Sequence, residues 1–333
     1  MSGVEDPGNR RKCTEEELRP APIITRSKLW FKDGSVVLQA ENTQFKVHQS
    51  ILSMNSTVFS DIFLAPQSAG EHLAEGCPIV HLSDTSADVT IMLQAICQRR
   101  YVANGSALPF LVVAAFLRLG NKYDIEVLRA DALKRLFFEI PSRLGNADER
   151  LALKQSCHGQ LDMLNLAREQ NILSALPLAR YRCCWLWSTQ KDLFKTRLDP
   201  QEAIICVTAS TTLMRLQGET TFSWITFPPS KYDSCQASAD CSAARSKLAI
   251  ELFFPVAEIS GLKVWHEKWG ESMCKACIDV ALVEHERGRL RFWKALPGVF
   301  GLPGWAELNK ERDQSKSHLV PFSPLYKSNF NTH

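Results

Sequence analysis

Residues 33–63 read DGSVVLQAENTQFKVHQSILSMNSTVFSDIF, and this stretch decides the fold of the first part of the chain. Residues 36–40 alternate with the two-residue period of a strand that has at least one buried face. Residues 44–47 repeat this alternation and predict a second strand. Asn42 lies between the two strands and suits the left-handed backbone that a turn needs. The pattern therefore predicts a β-hairpin.

The hydrophobic period changes from strand-like to helix-like after His48. Ile51, Leu52 and Met54 predict one short helix. Ser56 is the predicted N-cap of a second helix. The apolar stripe of that helix comprises Val58, Phe59, Ile62 and Phe63. A hairpin followed by two short helices is a specific order of elements, although no single element in it is rare.

The following residues extend this mixed pattern. Ile79–Leu82 predicts another short strand, and Ser86 or Asp88 is the predicted N-cap of the helix after it. Residues 108–119 predict an apolar helix that ends at Gly120–Asn121, a pair that suits a helix C-terminus. The first part of the chain is therefore predicted to be α+β.

The ordered pattern resembles a BTB/POZ domain. His48 and Leu52 match positions of the family's motif that serve packing, and residues 117–125 are similar to its penultimate helix pair. Asp33–Gly34 and Val37–Ala40 resemble in particular the large BTB sets of mushroom-forming fungi. The resemblance extends from residue 28 to about residue 140.

The resemblance implies a small sheet packed with a cluster of helices, and a function in protein–protein interaction. Many BTB domains form homodimers, and some bind a cullin-type ubiquitin ligase scaffold while an attached domain captures the substrate. By analogy, the dimer interface would include Leu29, Trp30, Phe31, Ile51, Val58 and Phe59. Burial of the same aromatic residues in the folded core is an equally consistent interpretation. The functional hypotheses are a cullin ligase adaptor, an oligomerisation scaffold without a ligase role, and a transcription-associated regulator.

The composition is that of an ordinary globular protein. The chain has 333 residues, enough for two domains, with 45% hydrophobic and 23% charged residues. A net charge of +3 is too small to indicate a polyanionic partner. No apolar run is long enough for a membrane helix, and the N-terminus lacks a signal-peptide pattern. We therefore expect an intracellular protein, cytoplasmic or nuclear, whose eleven cysteines are reduced.

Proline positions and changes in composition divide the chain into segments. Pro141 marks the predicted end of the first domain, and Asp199–Pro200 is a strong helix start. Residues 217–246 have the composition of a loop, and a late helix is predicted at about residues 272–296. The predicted segments are a disordered tail (1–27), the BTB/POZ domain (28–140), a mainly α-helical domain (141–310) and a flexible tail (311–333).

The sequence contains no spaced motif of an enzyme. It lacks a phosphate-binding glycine loop and a Gly-x-Ser-x-Gly elbow. His266–Glu267 and His285–Glu286 lack the second histidine of a zinc protease motif. The sequence therefore predicts no enzymatic activity and identifies no catalytic residue.

Four cysteines form a candidate metal site. Cys274 and Cys277 have the Cys-x-x-Cys spacing that lets two thiolates bind one tetrahedral Zn²⁺ ion. Cys235 and Cys241 have five residues between them, more than the usual two to four. One interpretation is a structural zinc site, and the other is a chance placement of buried cysteines. A redox Cys-x-x-Cys is not favoured, because no βαβ pattern surrounds it.

A group of basic residues lies beside aromatic residues near the C-terminus. It comprises Arg287, Arg289, Arg291 and Lys294, with Phe292, Trp293 and Trp305 nearby. A nucleic-acid surface is one interpretation. Glu284, Glu286 and Glu307 dilute the positive charge and favour the alternative, a solvated helix face. The aromatic residues then belong to the core or to a peptide groove.

Overall fold

The computed structural model describes residues 23–65, 73–101, 108–151, 157–189, 198–255 and 257–317. The predicted tails lie outside these ranges at residues 1–22 and 318–333, whereas residues 25–27 belong to a strand and residues 311–317 to a helix. The chain divides into two compact units, residues 1–104 and 105–333. This division falls inside the predicted domain of residues 28–140, whose limits stay a prediction.

The first unit contains a five-stranded mixed sheet with the order β1-β3-β2-β5-β4. β1 runs parallel to β3, β2 runs antiparallel to β3 and parallel to β5, and β4 runs antiparallel to β5. The strands are β1 (Thr25–Trp30), β2 (Val36–Ala40), β3 (Thr43–Val47), β4 (Leu73–Ala74) and β5 (Cys77–Leu82). β2 lies at the centre of the sheet, and its valines, Leu38 and Ala40 are fully buried.

The hairpin between β2 and β3 is confirmed, but its turn differs in detail from the prediction. Ala40 pairs with Thr43, so the turn consists of Glu41 and Asn42. The left-handed residue is Glu41, with φ of 49°, and not Asn42. The Glu41 carboxylate accepts hydrogen bonds from the backbone amide and the hydroxyl of Ser86, at 2.9 and 2.7 Å. These contacts tie the turn to the following helix and hold Glu41 in a conformation that its side chain alone does not favour.

Three helices accompany the sheet in the first unit: α1 (Gln49–Asn55), α2 (Thr57–Leu64) and α3 (Ser86–Gln98). Ser56 caps α2 as predicted, because its hydroxyl accepts a hydrogen bond of 3.0 Å from the amide of Phe59. The cap of α3 is Thr85, one residue before the predicted position. Leu52, Phe59 and Met92 from the three helices are fully buried.

The described residues of the second unit form helices joined by loops and contain no strand, which agrees with the predicted helical C-terminal region. Its helices are α4 (Phe110–Lys122), α5 (Glu126–Glu139), α6 (Leu144–Leu151), α7 (Cys157–Glu169), α8 (Leu176–Thr189), α9 (Pro200–Glu219), α10 (Ser238–Phe253), α11 (Lys275–Val299) and α12 (Trp305–Ser317). None of the described helices has the length and apolar character needed to span a membrane.

Several helix limits differ from the sequence prediction. α4 continues past Gly120, where a side chain would collide with the backbone of Arg129, so this glycine allows close packing of α4 on α5. The predicted loop of residues 217–246 includes the end of α9 and the start of α10. The serine and alanine residues at the start of α10 hide its helical period. Asp199 caps α9 as predicted, accepting hydrogen bonds from the amides of Gln201 and Glu202.

A buried ion pair joins α8 to α9. Arg180 donates two hydrogen bonds of 2.8 Å to the carboxylate of Glu202, and the two side chains are 8% and 2% exposed. A bidentate pair of this kind satisfies both charged groups inside the protein. Removal of one partner leaves a buried charge without compensation, which is more costly than the loss of an exposed pair.

Replacement of Glu202 by alanine should therefore lower the free energy of unfolding by about 3–5 kcal/mol. The matched control is Glu219→Ala, because the Arg215–Glu219 pair on α9 is exposed, with an N–O distance of 3.8 Å. That change should cost less than about 1 kcal/mol. Urea unfolding followed by tryptophan fluorescence measures both effects, since every tryptophan except Trp30 lies in the second unit. Equal losses in the two variants would contradict the prediction.

Candidate functional site

The structure brings the four predicted cysteines together in the second unit. Their sulfur atoms all lie within 4.8 Å of one another, and no other group of metal-binding side chains clusters in this way in the described parts of the chain. Cys235 lies in the loop before α10, and Cys241 lies in the first turn of α10. Cys274 is the N-cap of α11, and Cys277 lies in its first turn. The cluster thus connects one loop with the beginnings of two helices.

The sulfur spacing fits a tetrahedral metal ion. A Zn–S bond is about 2.3 Å long, so the sulfur atoms of a tetrahedral site lie about 3.8 Å apart. The sulfur atoms of Cys235 and Cys274 are 3.9 Å apart. The wider spacing of the first cysteine pair along the chain is accommodated because the loop turns into α10 between Cys235 and Cys241. The donor set of four thiols is one that Zn²⁺ prefers in structural sites.

Backbone amide groups surround the sulfur atoms. The amide of Cys274 donates a hydrogen bond of 3.1 Å to the sulfur of Cys241. Amides of Gln236 and Cys277 donate to the sulfur of Cys274 and lower the pKa of this thiol to about 6. Burial raises the pKa of Cys241 and of Cys277. Two helix N-termini meet here, and their dipoles favour negative charge on the sulfur atoms.

Aromatic residues support the segment between the two cysteine pairs. Trp265 and Trp269 pack around the fully buried His285, with ring centroids 5.7 and 5.2 Å from the imidazole. The indole of Trp224 donates a hydrogen bond of 3.3 Å to Nδ1 of His285, so its Nε2 donates to the carbonyl of Lys263 at 2.9 Å. Burial lowers the pKa of His285, which keeps the ring neutral at pH 7. Sequence patterns do not indicate this role, because His285 lies in a motif without a second histidine.

A cavity of about 210 Å³ borders the cysteine cluster. Cys235 and Cys277 both line it, together with Tyr232 and residues of opposite charge, Lys231 and Asp233. The mixed charge of its lining does not indicate one class of small-molecule ligand.

The other cysteines predicted to be structural are buried. Cys183 and Cys184 lie on α8 and are fully inaccessible, in agreement with the predicted core position. All strands among the described residues lie before residue 83, so no described strand accompanies the Cys-x-x-Cys motif of residues 274–277. The redox interpretation that depends on a βαβ unit therefore gains no support.

The six predicted interface residues fall into two groups in the first unit. Leu29 and Phe59 are buried in the core of their own unit. The remaining four are partly exposed, namely Trp30, Phe31, Ile51 and Val58. Trp30 also has partners within the unit, since its indole donates a hydrogen bond of 3.3 Å to Glu75 and contacts the guanidinium of Arg26. The core interpretation therefore applies to Phe59, whereas the interface role of the partly exposed Trp30 and Phe31 stays a prediction.

The most exposed apolar side chains of this region are not among the six predicted interface residues. Met54 on α1 and Leu64 on α2 are each 79% exposed, and Ile62 is 37% exposed. Ile23 and Ile24 lie just before β1 and are also exposed. Hydrophobic periodicity identifies the apolar face of a helix, but it does not show that part of this face remains uncovered.

The basic group near the C-terminus is largely engaged within its own unit. Arg287 pairs with Glu284 at 2.7 Å, and Arg289 is buried and pairs with Glu286 at 2.8 Å. Arg291 contacts the carbonyl of Thr220. The aromatic residues are packed, since Trp293 stacks on Trp305 with centroids 4.6 Å apart and Phe292 is fully buried. These contacts favour a structural helix face over a nucleic-acid surface.

Comparison with known proteins identifies the first part of the chain. Residues 31–134 match the family model of the BTB/POZ domain, a range that includes β2–β5, α1–α4 and most of α5. No curated protein matches the chain. The mixed sheet with its helices agrees with this match and with the predicted α+β class. The chain therefore contains a BTB/POZ domain, a protein–protein interaction module, in residues 31–134.

Proposed function

We propose that this chain is an intracellular adaptor that self-associates through its BTB/POZ domain and presents its helical region to a protein partner. The family match to residues 31–134 carries the proposal. The exposed apolar residues Met54, Ile62 and Leu64 on α1 and α2 support it. Apolar side chains of this size on adjacent short helices are suited to contact with another protein surface.

The proposed homodimer interface includes α1, α2 and the segment before the sheet. β1 pairs only with β3 among the described strands, so its other edge can accept a strand from a second chain. Ile23 and Ile24 precede this edge and are exposed. The partly exposed Ile51 and Val58 extend the surface along α1 and α2, whereas the buried Phe59 supports it from within.

The double substitution Met54→Asp/Ile62→Asp should convert the dimer to a monomer, because it places two charges in a desolvated interface. Light scattering after size exclusion should give about twice 37.5 kDa for the wild type and 37.5 kDa for the variant. Ile204→Asp is the matched control, since Ile204 is an exposed apolar residue on α9 in the other unit, and it should remain dimeric. A monomeric wild type, or a dimeric double variant, would contradict the proposed interface.

The ligase-adaptor role is one form of this function, and a scaffold or transcription-associated regulator without a ligase is the alternative. In the first form the BTB/POZ domain binds a cullin and the helical region captures a substrate. If this form is correct, a purified cullin should retain the wild-type chain in a pull-down at micromolar concentration. Absence of cullin binding by a correctly folded dimer would favour the scaffold.

We also propose that Cys235, Cys241, Cys274 and Cys277 bind one structural Zn²⁺ ion in the second unit. The convergence of the four sulfur atoms within 4.8 Å carries this proposal. Since all four tetrahedral positions are supplied by the protein, the ion would have no open position for catalysis. Its role would be to hold the loop around Cys235 against the starts of α10 and α11.

Native mass spectrometry should find one zinc ion per chain, lost on treatment with a chelator. Cys277→Ser should lose the ion, whereas Cys97→Ser, a change at a partly buried cysteine outside the cluster, should retain it. Zinc at one hundred times its dissociation constant should stabilise the wild type by about 2.7 kcal/mol and should leave Cys277→Ser unaffected. A wild type that carries no metal after zinc is supplied would refute the proposed site.

A further inference from the structure

Arg245 differs from the other buried arginines of the second unit. It is 7% exposed, its Nε has no hydrogen-bond partner, and no carboxylate among the described residues pairs with it. The comparable arginines each contact a carboxylate or a backbone carbonyl, namely Arg180, Arg182, Arg289 and Arg312. Nη2 of Arg182 also makes no hydrogen bond, but Nη1 of this residue donates to the carbonyl of Glu139 at 2.8 Å. A buried cation without an anionic partner is costly, so the surroundings of Arg245 need an explanation.

The guanidinium of Arg245 contacts Tyr232, a residue that is hydrogen-bonded to the cysteine cluster. Its guanidinium carbon lies 4.0 Å from the centroid of the Tyr232 ring. The carbonyl of Tyr232 in turn accepts a hydrogen bond of 2.9 Å from the amide of Cys235. The guanidinium therefore packs on the residue that positions one of the four sulfur atoms.

The position of Arg245 on α10 gives a second, independent connection. Arg245 follows Cys241 by four residues, and both side chains are buried. Residues four apart lie on the same face of a helix, and their side chains lean towards the helix N-terminus. The side chain of Arg245 thus extends along the face that carries Cys241.

Glu284 is the carboxylate to consider as an alternative ion-pair partner of Arg245. It lies near enough to Tyr232 to influence the hydroxyl of that residue. However, Glu284 already accepts a hydrogen bond of 2.7 Å from Arg287 on the same helix. Among the ion pairs of the described residues, Glu284 pairs with Arg287 and not with Arg245.

We propose that Arg245 supplies the counter-charge of a tetrathiolate metal centre, an inference that rests on the zinc site proposed above. Four thiolates and one Zn²⁺ ion carry a net charge of −2, and the helix N-termini offset only part of it. Arg245 adds a full positive charge beside the cluster. It acts through the charge of the centre and does not bind the metal itself. The Arg245 guanidinium would then have an anionic partner, and the negative charge of the zinc–tetrathiolate centre would be partly compensated.

Arg245→Met removes the charge and keeps much of the side-chain volume. It should lower the zinc affinity without lowering the stability of the metal-free chain. Zinc affinity should fall about tenfold, the size of effect typical of groups that support metal ligands. The metal-free variant should be at least as stable to urea as the metal-free wild type, because it no longer buries an unpaired cation. A residue with only a packing role would instead lower stability with and without metal.

Two further variants make the test specific. Arg245→Lys retains the charge and should keep most of the zinc affinity. Lys247→Met removes a charge from an exposed position on the same helix, where Lys247 is paired only with Glu251, and should bind zinc as the wild type does. Competition with a chromophoric chelator measures the zinc affinity of the full-length chains. Visible absorption of bound Co²⁺ reports whether each variant keeps tetrahedral thiolate coordination.

Zinc binding by the wild type tests the metal site, and comparison with Arg245→Met tests the role of Arg245. If the wild type binds no zinc, the site itself fails, and the role of Arg245 fails with it. If the wild type binds zinc and Arg245→Met binds it equally well, only the role of Arg245 is wrong. Failure of the metal-free Arg245→Met chain to fold would also overturn the inference, because it would show that the cation stabilises the unit without metal.

Discussion

Four cysteine sulfur atoms approach one another at the beginnings of two helices, and their convergence defines the candidate metal site of the second unit. Their separation of at most 4.8 Å brings the loop at Cys235 against α10 and α11. Neutral thiols this close together interact only weakly. Four thiolates around a divalent cation, in contrast, form strong and directional metal–sulfur bonds. Trp265 and Trp269, in the segment between the cysteine pairs, pack around His285. In the proposed zinc-bound form, metal–sulfur bonds would hold a loop and two helix ends, in addition to this aromatic packing.

Buried charges are distributed in the second unit according to a simple rule. Arg180 lies against Glu202, and Arg312 donates hydrogen bonds to the carbonyls of Ile140 and Ser174. Each cation replaces the water that it loses on folding with a fixed acceptor. Among the buried arginines of the described residues, Arg245 alone has neither a carboxylate nor a carbonyl acceptor, and it follows the cluster residue Cys241 by four positions on α10. The missing hydrogen bond of Arg245 Nε is therefore an observation that supports the proposed metal site.

In the first unit, the short helices α1 and α2 each carry both buried and exposed apolar side chains. Leu52 and Phe59 fill the core beneath α1 and α2, while Met54, Ile62 and Leu64 remain exposed. Most of the central strand β2 is buried, so the sheet forms part of the core of this unit. Exposed apolar side chains on α1 and α2 suit a module that binds other proteins. The family match and the distribution of exposed residues thus lead to the same general function by independent routes.

The sequence by itself determined the α+β character of residues 28 to about 140, the hairpin, the Ser56 and Asp199 caps and the mainly helical character of residues 141–310. These features follow from local periodicity and capping, which depend on residues close together in the chain. The sequence also identified four candidate cysteine ligands, but their irregular spacing left chance placement open. Only the tertiary structure decided that the sulfur atoms meet, that Phe59 is buried while Met54 is exposed, and that Arg245 lacks an anionic partner. Each of these facts depends on contacts between residues distant in sequence, and local patterns do not encode such contacts.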